Sequence, residues 1–444
     1  MDLLTRRRFV SWAGGASSLA LCSRAQDTAG FLPADITLRI GEITLELAPR
    51  STVRTVGYNG QAPGPLLRVP EGKPLTVDVI NETRNAEIVH WHGLHIPPDV
   101  DGSREEGTPE VPAHSRRRYT FIPEPAGTRW YHSHNGAGHN LGAGTYTGQF
   151  GMLIVDPRSD AGRYDLEVPL LLHEWDPYWD DNGPRSVGYR VFSINGKALG
   201  AGEPIRVRTG QQVLFRIVNA SATLTHRLAL PAHQFRVVAL DGNPVPVPRS
   251  VPIVELGPAE RIDAVVEMKA PGVWILGSAD EQRRAAGMGI VIEYAGATGR
   301  PLWTAAPTTV WDYALFGEQR ASVPPEDTVR LVFKEVSPHR WTINGKSFPK
   351  TDPIMVRANH RYRWILDNQS ADAHPIHLHR HTFELIKVAG SPTSGLRKDV
   401  VMVPAWKEAE IDVMADHPGP TLFHCHQQFH MDSGFMAMML YETG

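Results

Sequence analysis

The chain repeats one stretch three times, as VPEGKPLTVDVINET (69–83), VRTGQQVLFRIVNAS (207–221) and VRANHRYRWILDNQS (356–370). Apolar and polar residues alternate within the copies, as at Leu75, Val77 and Val79 in the first. A period of two is typical of a strand with one buried face. An Asn-Gly turn precedes each copy, at 59–60, 195–196 and 344–345. The repeat therefore predicts three copies of one small β-domain.

A second block follows each copy in the same order. Pro-Ala pairs at 112–113, 258–259 and 404–405 lead, after 15, 14 and 15 residues, to Gly127, Gly272 and Gly419. Chance similarity between β-proteins does not explain two blocks in register three times. We therefore predict an all-β chain of three consecutive sandwiches. Their predicted bounds are 30–157, 165–297 and 305–444, with linkers near 157–164 and 295–307.

The composition agrees with this fold and excludes several classes of protein. The 444 residues include 40 Gly and 36 Pro, a density of turn formers that disfavours long helices. A hydrophobic content of 41% and a charged content of 21% predict a full core and exclude a disordered chain. The net charge of −3 offers no basic surface for nucleic acid. Two cysteines cannot form a disulfide-rich scaffold.

The N-terminus is typical of an export signal. A basic start, TRRRFV (5–10), precedes an apolar stretch to Cys22 that is too short to span a membrane. The paired arginines indicate the twin-arginine export machinery, and a Sec signal with a chance arginine run is the alternative. We place cleavage after Ala25, so residues 1–25 form the signal. Leu21 is too large for a lipobox before Cys22, so we expect a periplasmic or secreted protein without a membrane anchor.

Eight of the 20 histidines form four His-x-His pairs at matching repeat positions. They lie at +9 and +11 from Asn81 and Asn368, and at +5 and +7 from Gly127 and Gly419. The pairs are His90 and His92, His132 and His134, His377 and His379, and His424 and His426. At the same offsets the middle copy has Leu228, Leu230, Gly277 and Ala279. The outer copies therefore carry a pattern that the middle copy lacks.

These pairs predict a metal cluster between the outer domains. Residues i and i+2 of a strand project from one face, so each pair can present two imidazoles to one cavity. Imidazole binds copper, zinc, iron and nickel, and eight ligands are too many for one ion. A single pair is more often a core or surface feature, but four pairs in register are not explained that way.

Cys425 predicts a second metal site on the back of the same strand. It lies between His424 and His426, so its sulfur projects from the opposite face. His374 differs in parity from the third-domain pair, and His430 follows Cys425 by five residues. Two histidines and a cysteine form the trigonal site of blue copper centres. The alternative is an inert buried cysteine.

With HWHG (90–93), WYHSH (130–134), HPIHLH (374–379) and HCHQQFH (424–430), the chain resembles the multicopper oxidases, and is similar to three-domain laccases. The resemblance covers nearly all of the chain after the signal. It implies three cupredoxin-like Greek-key domains and four copper ions. His374, Cys425 and His430 would hold the type 1 copper, and His90 and His377 the type 2 copper. The type 3 pair would be held by His92, His132, His134, His379, His424 and His426.

The resemblance also implies residues that manage protons. Asp101 matches the acid that follows the first histidine pair in the family, and a plain turn aspartate before Gly102 is the alternative. Many bacterial members have a second acid directly after the last type 1 histidine, where this chain has Met431. Asp432 comes next, and we assign it a proton-transferring or orienting role.

Phe435 occupies the axial position of the predicted type 1 site, five residues after His430. Copper-efflux oxidases and many bacterial laccases have methionine there, whereas fungal laccases resemble this chain. Because the axial ligand tunes a blue copper site, a missing thioether predicts a raised potential. A shift in register that makes Met436 axial is the alternative.

The leading functional hypothesis is an exported, monomeric laccase-like oxidase that takes electrons from phenols or aromatic amines and reduces O₂ to water. The alternative enzyme is a metal oxidase acting on Cu(I), Fe(II) or Mn(II), although the chain lacks a methionine-rich insert. A non-enzymatic envelope-assembly relative is expected to lose copper ligands, whereas this chain keeps all eleven. Copper storage without turnover is a further alternative. Residues 173–181 group acids and aromatics, and we expect a solvated loop there, with substrate contact as the alternative.

Overall fold

A computed structural model of the chain describes residues 8–9, 33–159, 162–180, 186–305, 309–318, 322–337 and 340–442. The predicted signal at 1–25 lies outside the described residues, except for the backbone of Arg8–Phe9, a two-residue strand, β1. Cys22 also lies outside them. In the part of the chain that is described, no helix is long and apolar enough to cross a membrane.

The first sandwich packs two four-stranded sheets. Their orders are β3-β2-β5-β7 and β4-β9-β8-β6. The strands are β2 (Ile36–Ala48), β3 (Ser51–Tyr58), β4 (Leu67–Pro70), β5 (Leu75–Asn81), β6 (Val89–His92), β7 (Ser115–Phe121), β8 (Gly127–Ser133) and β9 (Phe150–Asp156), with the helix α1 (Pro98–Asp101) and a 3-10 turn (Gly144–Tyr146).

The second sandwich adds a hairpin and an edge strand to the same plan. One sheet has the order β1-β10-β13-β18-β15-β16, with β11 also on β10, and the other is β12-β20-β19-β14-β17. The elements are β10 (Leu166–Asp180), β11 (Ser186–Ile194), β12 (Ile205–Val207), β13 (Gln212–Asn219), β14 (His226–Ala229), β15 (Phe235–Leu240), β16 (Asn243–Val251), β17 (Ile253–Leu256), β18 (Arg261–Glu267), β19 (Val273–Ser278), α2 (Glu281–Ala285) and β20 (Gly289–Tyr294).

The third sandwich repeats the second. Its sheets are β22-β21-β24-β29-β26-β27 and β23-β31-β30-β25-β28. The elements are a 3-10 turn (Tyr313–Leu315), β21 (Asp327–Ser337), β22 (Arg340–Ile343), β23 (Ile354–Val356), β24 (Arg361–Asn368), β25 (His374–Leu378), β26 (Phe383–Val388), β27 (Ser391–Lys398), β28 (Val400–Val403), β29 (Glu408–Met414), β30 (Thr421–Cys425), α3 (Gln428–Asp432) and β31 (Met436–Tyr441). The prediction of an all-β chain of three consecutive sandwiches is confirmed.

The repeated stretch performs the same task in each sandwich. Its end forms β5, β13 or β24, which pairs in parallel with β2, β10 or β21. The repeat asparagines Asn81, Asn219 and Asn368 are buried, and each side-chain amide donates to two backbone carbonyls, one four or five residues later and one about 30 to 37 residues later. Since a buried amide needs partners, these bonds explain why asparagine recurs there.

A buried group of charges lies where the three domains meet. We name it the charge junction: Arg129 of the first domain, Asp241, Glu260 and Arg261 of the second, and Lys398 and Asp399 of the third, each at most 3% exposed. Lys398 Nζ lies 2.9 Å from Asp241 Oδ2 and 3.0 Å from Glu260 Oε1. Three formal cations and three formal anions balance, so burial leaves no unpaired charge.

We expect Lys398→Met to destabilise the protein by about 3–5 kcal/mol, because it leaves two buried carboxylates without the cation between them. Urea unfolding of the metal-free protein measures this loss. The matched control is Lys346→Met, which breaks a pair with Asp352 whose side chains are 49% and 68% exposed. That change should cost no more than about 1 kcal/mol. Similar losses in the two variants would contradict the prediction.

Candidate metal centres

In each outer domain the histidine pairs lie on, or just after, two adjacent antiparallel strands, and the two pairs of strands occupy corresponding positions in the two domains. His90 on β6 lies directly opposite His132 on β8, and His377 on β25 lies directly opposite His424 on β30. The other four histidines of the pairs follow two residues later. All eight imidazoles are at most 7% exposed.

The two sets of histidines meet between the first and third domains. The rings of His92 and His377 stack with centroids 3.9 Å apart, and those of His90 and His379 stack at 4.0 Å. Three groups of imidazoles have ligand atoms that all lie within 4.8 Å of one another. These groups are His90, His92 and His377; His92, His132 and His426; and His134, His379 and His424. The predicted cluster residues are therefore brought together.

The free nitrogens in this cavity fit metal ions. Nε2 of His90, His132, His134 and His377, together with Nδ1 of His92, is buried without a hydrogen-bond partner among the described residues. Burial lowers the pKa of the imidazoles, to about 4 for His90, so they are neutral and keep a lone pair. Buried polar atoms normally find a partner, and a soft or borderline cation would supply one here.

Hydrogen bonds on the far side of the rings orient these lone pairs. Nδ1 of His90, His377 and His424 lies 2.9, 2.7 and 2.9 Å from the carbonyl oxygens of Asp101, Asp399 and Cys425, respectively. Because a carbonyl accepts, Nδ1 carries the proton and Nε2 is left free.

In His92 the roles of the two ring nitrogens are exchanged. Its Nε2 lies 3.2 Å from Asp399 Oδ1, so Nδ1 is the free atom that faces the cavity. Asp399 therefore contacts candidate ligands from two domains. Sequence reasoning missed this residue, since it belongs to neither repeat block.

The middle domain fills the same positions with core. Leu228 and Leu230 are buried in the hydrophobic cluster that the second and third domains share. Leu228 pairs with Ser278, one residue later in β19 than the position matching His132 and His424. The middle sandwich thus lacks the ligands and also differs in strand register.

The predicted cysteine site forms on the opposite face of β30. Cys425 Sγ lies 3.8 Å from His374 Nδ1 and 3.6 Å from His430 Nδ1, and burial raises the pKa of its thiol. Ser370 Oγ lies 2.8 Å from His374 Nε2, which turns Nδ1 toward the sulfur. The Trp341 ring packs 4.3 Å from that of His430. Two imidazoles and a thiolate in this arrangement fit a copper ion.

Phe435 packs against this site, whereas Met436 does not share its face. The fully buried Phe435 ring lies 4.9 Å from the His374 ring. Met436 is the register partner of His424 on β30, and paired residues share a face of the sheet. Met436 therefore lies on the side of the cluster, away from the sulfur of Cys425.

Asp101 lies at the end of α1 and contacts the cluster histidines. Its Oδ2 is 2.8 Å from His379 Nδ1 and 3.1 Å from His90 Nδ1, so the residue is more than a turn former. Burial raises the pKa of Asp101 to about 7. Glu106 lies 3.6 Å from His379 Nδ1, and burial beside Asp101 raises its pKa well above the usual range. Sequence reasoning missed Glu106, whose only signal is the acidic pair at 105–106.

The Asp432 carboxylate accepts hydrogen bonds from backbone amides and from Gln428, and not from the histidines of the cluster. Its Oδ2 accepts from the amides of Ala137 and Gly138 at 3.0 and 2.8 Å, and from Gln428 Nε2 at 3.1 Å. These bonds attach α3, which carries His430, to the loop that follows His134. An orienting role for Asp432 remains a prediction that this geometry supports.

The expectation of a loop at 173–181 is wrong for the residues described, although Asp176 within the segment is exposed to solvent. Positions 173–180 belong to β10, and His173, Glu174 and Trp175 are at most 1% exposed. Glu174 pairs with His226 in the core of the middle domain. The strand continues outward to Trp179, whose ring lies 5.3 Å from that of Phe429, beside His430. Residue 181 lies outside the described part.

Comparison with known proteins agrees with this site. Three sequence profiles described as multicopper oxidase match residues 39–160, 181–293 and 322–444. Multicopper oxidase MmcO of Mycobacterium tuberculosis is 29% identical, over 98% of this chain and 96% of its own length. Laccase-2 of Trametes versicolor is 26% identical, over 85% and 84%.

Solved structures show the same fold. A multi-copper oxidase from Pseudomonas thermotolerans superposes with a TM-score of 0.73 at 27% identity, covering 92% of this chain and 100% of that one. Fet3p, described as a multicopper oxidase that functions in iron import, superposes with a TM-score of 0.81 at 18% identity, covering 92% and 90%. The three sandwiches are cupredoxin-like domains, and the chain belongs to the multicopper oxidase family.

Proposed function

We propose that this multicopper oxidase is laccase-like: it binds four copper ions, oxidises phenols or aromatic amines and reduces O₂ to water. His374, Cys425 and His430 hold the type 1 copper, and His90 and His377 the type 2 copper. Each type 3 copper takes one of two histidine groups: His92, His132 and His426, or His134, His379 and His424.

The position of Cys425 carries this proposal. Its sulfur belongs to one group of ligands, while its neighbours His424 and His426 belong to the two groups assigned to the type 3 coppers. When bound, the copper ions would accept single electrons from a donor and pass them to O₂. The chain supplies a short covalent route between the two sites, and His424 Nδ1 donates to the Cys425 carbonyl at 2.9 Å.

Asp101 and Glu106 provide for the protons that O₂ reduction consumes. The carboxyl groups of Asp101 and Glu106 are buried and hydrogen-bonded to each other. Both carboxyl groups lie beside His379. We assign this pair to holding protons next to the cluster.

The surroundings of His430 favour an aromatic donor. Its Nδ1 faces the sulfur, and 6% of the residue is exposed. Phe429 precedes it and packs on Trp179 of the middle domain. Aromatic rings beside the exposed edge of a type 1 ligand can stack with phenols and aromatic amines.

One observation favours metal ions as a second class of donor. Asp372 Oδ2 lies 3.9 Å from His430 Nε2, and the Asp372 side chain is 57% exposed. A carboxylate at this position attracts cations. Fe(II), Mn(II) or Cu(I) would then compete with organic donors, and Fet3p is described as functioning in iron import.

We further propose export by the twin-arginine machinery to the periplasm or the medium, as a monomer. The support for export is the TRRRFV (5–10) pattern and the apolar stretch that follows it.

Replacing Cys425 by Ser should abolish the blue absorption while the histidine cluster still binds copper. The thiolate is lost, but the imidazoles project from the other face of β30. Copper analysis and electron paramagnetic resonance should show the type 1 signal missing and the type 2 signal retained. The control is Ser133→Ala, at the matching position between His132 and His134, which should stay blue. A blue Cys425→Ser protein would refute the type 1 assignment.

Phe435→Met should lower the type 1 reduction potential, because a thioether would be added beside His374. Redox titration of the blue absorption measures the change. Phe423→Met, a buried replacement in the core of the same sandwich, is the control and should leave the potential unchanged. An equal or higher potential in Phe435→Met would contradict the axial assignment.

O₂ uptake by the copper-loaded enzyme should be fastest with hydroquinone or p-phenylenediamine and slower with Fe(II), Mn(II) or Cu(I). Asp372→Asn should lower kcat/KM for Fe(II) by roughly fivefold, the factor for about 1 kcal/mol, which is the attraction in water between two unit charges about 4 Å apart. Hydroquinone oxidation should change by less than about twofold.

The control for this series is Asp352→Asn, an exposed acid of the same domain that pairs with Lys346. Faster turnover of Fe(II) than of hydroquinone would replace the laccase-like proposal by the metal-oxidase one. Absence of O₂ uptake with every donor would defeat both.

A further inference from the structure

Arg261 of the middle domain, which carries none of the proposed copper ligands, extends toward the cluster. Arg261 begins β18, is fully buried and reaches Asp399 of the third domain. Its Nη1 and Nη2 each lie 2.5 Å from one of the two carboxylate oxygens of Asp399. A planar guanidinium that meets both oxygens fixes the orientation of the carboxylate as well as its position.

Asp399 in turn orients two proposed copper ligands from different domains. Its Oδ1 lies 3.2 Å from His92 Nε2, and its carbonyl oxygen lies 2.7 Å from His377 Nδ1. The two imidazoles stack 3.9 Å apart at 13°. One residue therefore sets which nitrogen each ring presents to the cavity: Nδ1 of His92 and Nε2 of His377.

Arg261 is itself held from several sides. It donates to the carbonyls of Thr128 and Asp241, and its backbone amide donates to Asp241 Oδ1 at 2.9 Å. Asp241 Oδ2 also accepts the amide of Val400, one residue after Asp399. The middle domain thus holds Asp399 in two ways: Arg261 binds its carboxylate, and Asp241 binds the backbone amide of the next residue.

The glycine after His92 makes room for this arrangement. Gly93 has a φ of +85°, and a Cβ there would lie 2.7 Å from Arg261 Nη2 and 2.9 Å from Asp399 Oδ2. Any side chain would therefore displace the guanidinium or the carboxylate. The close approach of Arg261 to the first domain depends on glycine at this position.

We propose that Arg261 is a positioning residue for the copper cluster, through which the middle domain fixes the orientation of His92 and His377 by way of Asp399. This inference rests on the proposed assignment of those two histidines as copper ligands. It gives the middle domain a defined part in copper binding although it contributes no ligand. It also predicts that the cluster, and not the type 1 site, depends on Arg261.

The test compares Arg261→Met with Arg261→Lys in the full-length, copper-loaded protein. Arg261→Met should weaken cluster copper by about 10- to 100-fold in a chelator competition, the usual effect of removing a partner that orients a ligand. The blue absorption should persist. Arg261→Lys keeps the charge but loses the bidentate contact with Asp399. It should therefore retain copper, with an altered type 2 signal in electron paramagnetic resonance.

The matched control is Arg216→Met, in the same domain. Arg216 is 7% exposed and pairs with Glu167 and Asp263, so its side chain is held by carboxylates other than Asp399. This variant should lose stability, measured as Tm of the metal-free protein, but keep cluster copper at wild-type affinity.

Normal cluster affinity and an unchanged type 2 signal in both Arg261 variants would overturn the inference. Equal loss of cluster copper in Arg216→Met would also overturn it, since the effect would then be structural. If Arg261→Met does not fold, Arg261→Lys decides, because its charge balance is intact. A wild-type protein that binds type 1 copper but no cluster copper would instead refute the proposed ligand assignment, and the inference with it.

Discussion

Neighbouring side chains of a β-strand point to opposite faces, and the two proposed copper sites depend on this constraint at residues 424–426. His424 and His426 face the cavity between the outer domains, and Cys425 faces the interior of the third sandwich. The same strand therefore separates the two sites and connects them. A helix could not do this with three consecutive residues, because its side chains are spread around a cylinder rather than over two faces.

The second requirement is a fixed placement of the first domain against the third. The cluster histidines come from both domains, and rings of the first stack on rings of the third. A shared hydrophobic cluster joins the second domain to the third, and the charge junction adds Arg129 of the first. Buried charges impose narrow geometric demands, since each cation must meet its anion. The junction can therefore specify how the domains dock, a task that apolar packing alone performs with less directional detail.

Much of the fold and most of the site could be predicted from the sequence because both rest on short-range regularities. The period of two, the Asn-Gly turns and the offsets from Asn81, Asn368, Gly127 and Gly419 all survive in the printed order of residues. Glu106, Asp399 and Arg261 could not be found that way, because their contacts join different domains and follow no period. The acids and aromatics at 173–181 predict a solvated loop, whereas Glu174 pairs with His226 in the core of the middle domain.

The cluster histidines span residues 90 to 426, which has a consequence for how the enzyme is made. During synthesis the first domain can fold while more than two hundred residues are still missing, yet it carries only half of the imidazoles that face the cavity. A chain that lacks the third domain can thus offer two histidine pairs but none of the complete imidazole groups. Assembly of the proposed copper cluster therefore requires the last domain to be docked against the first.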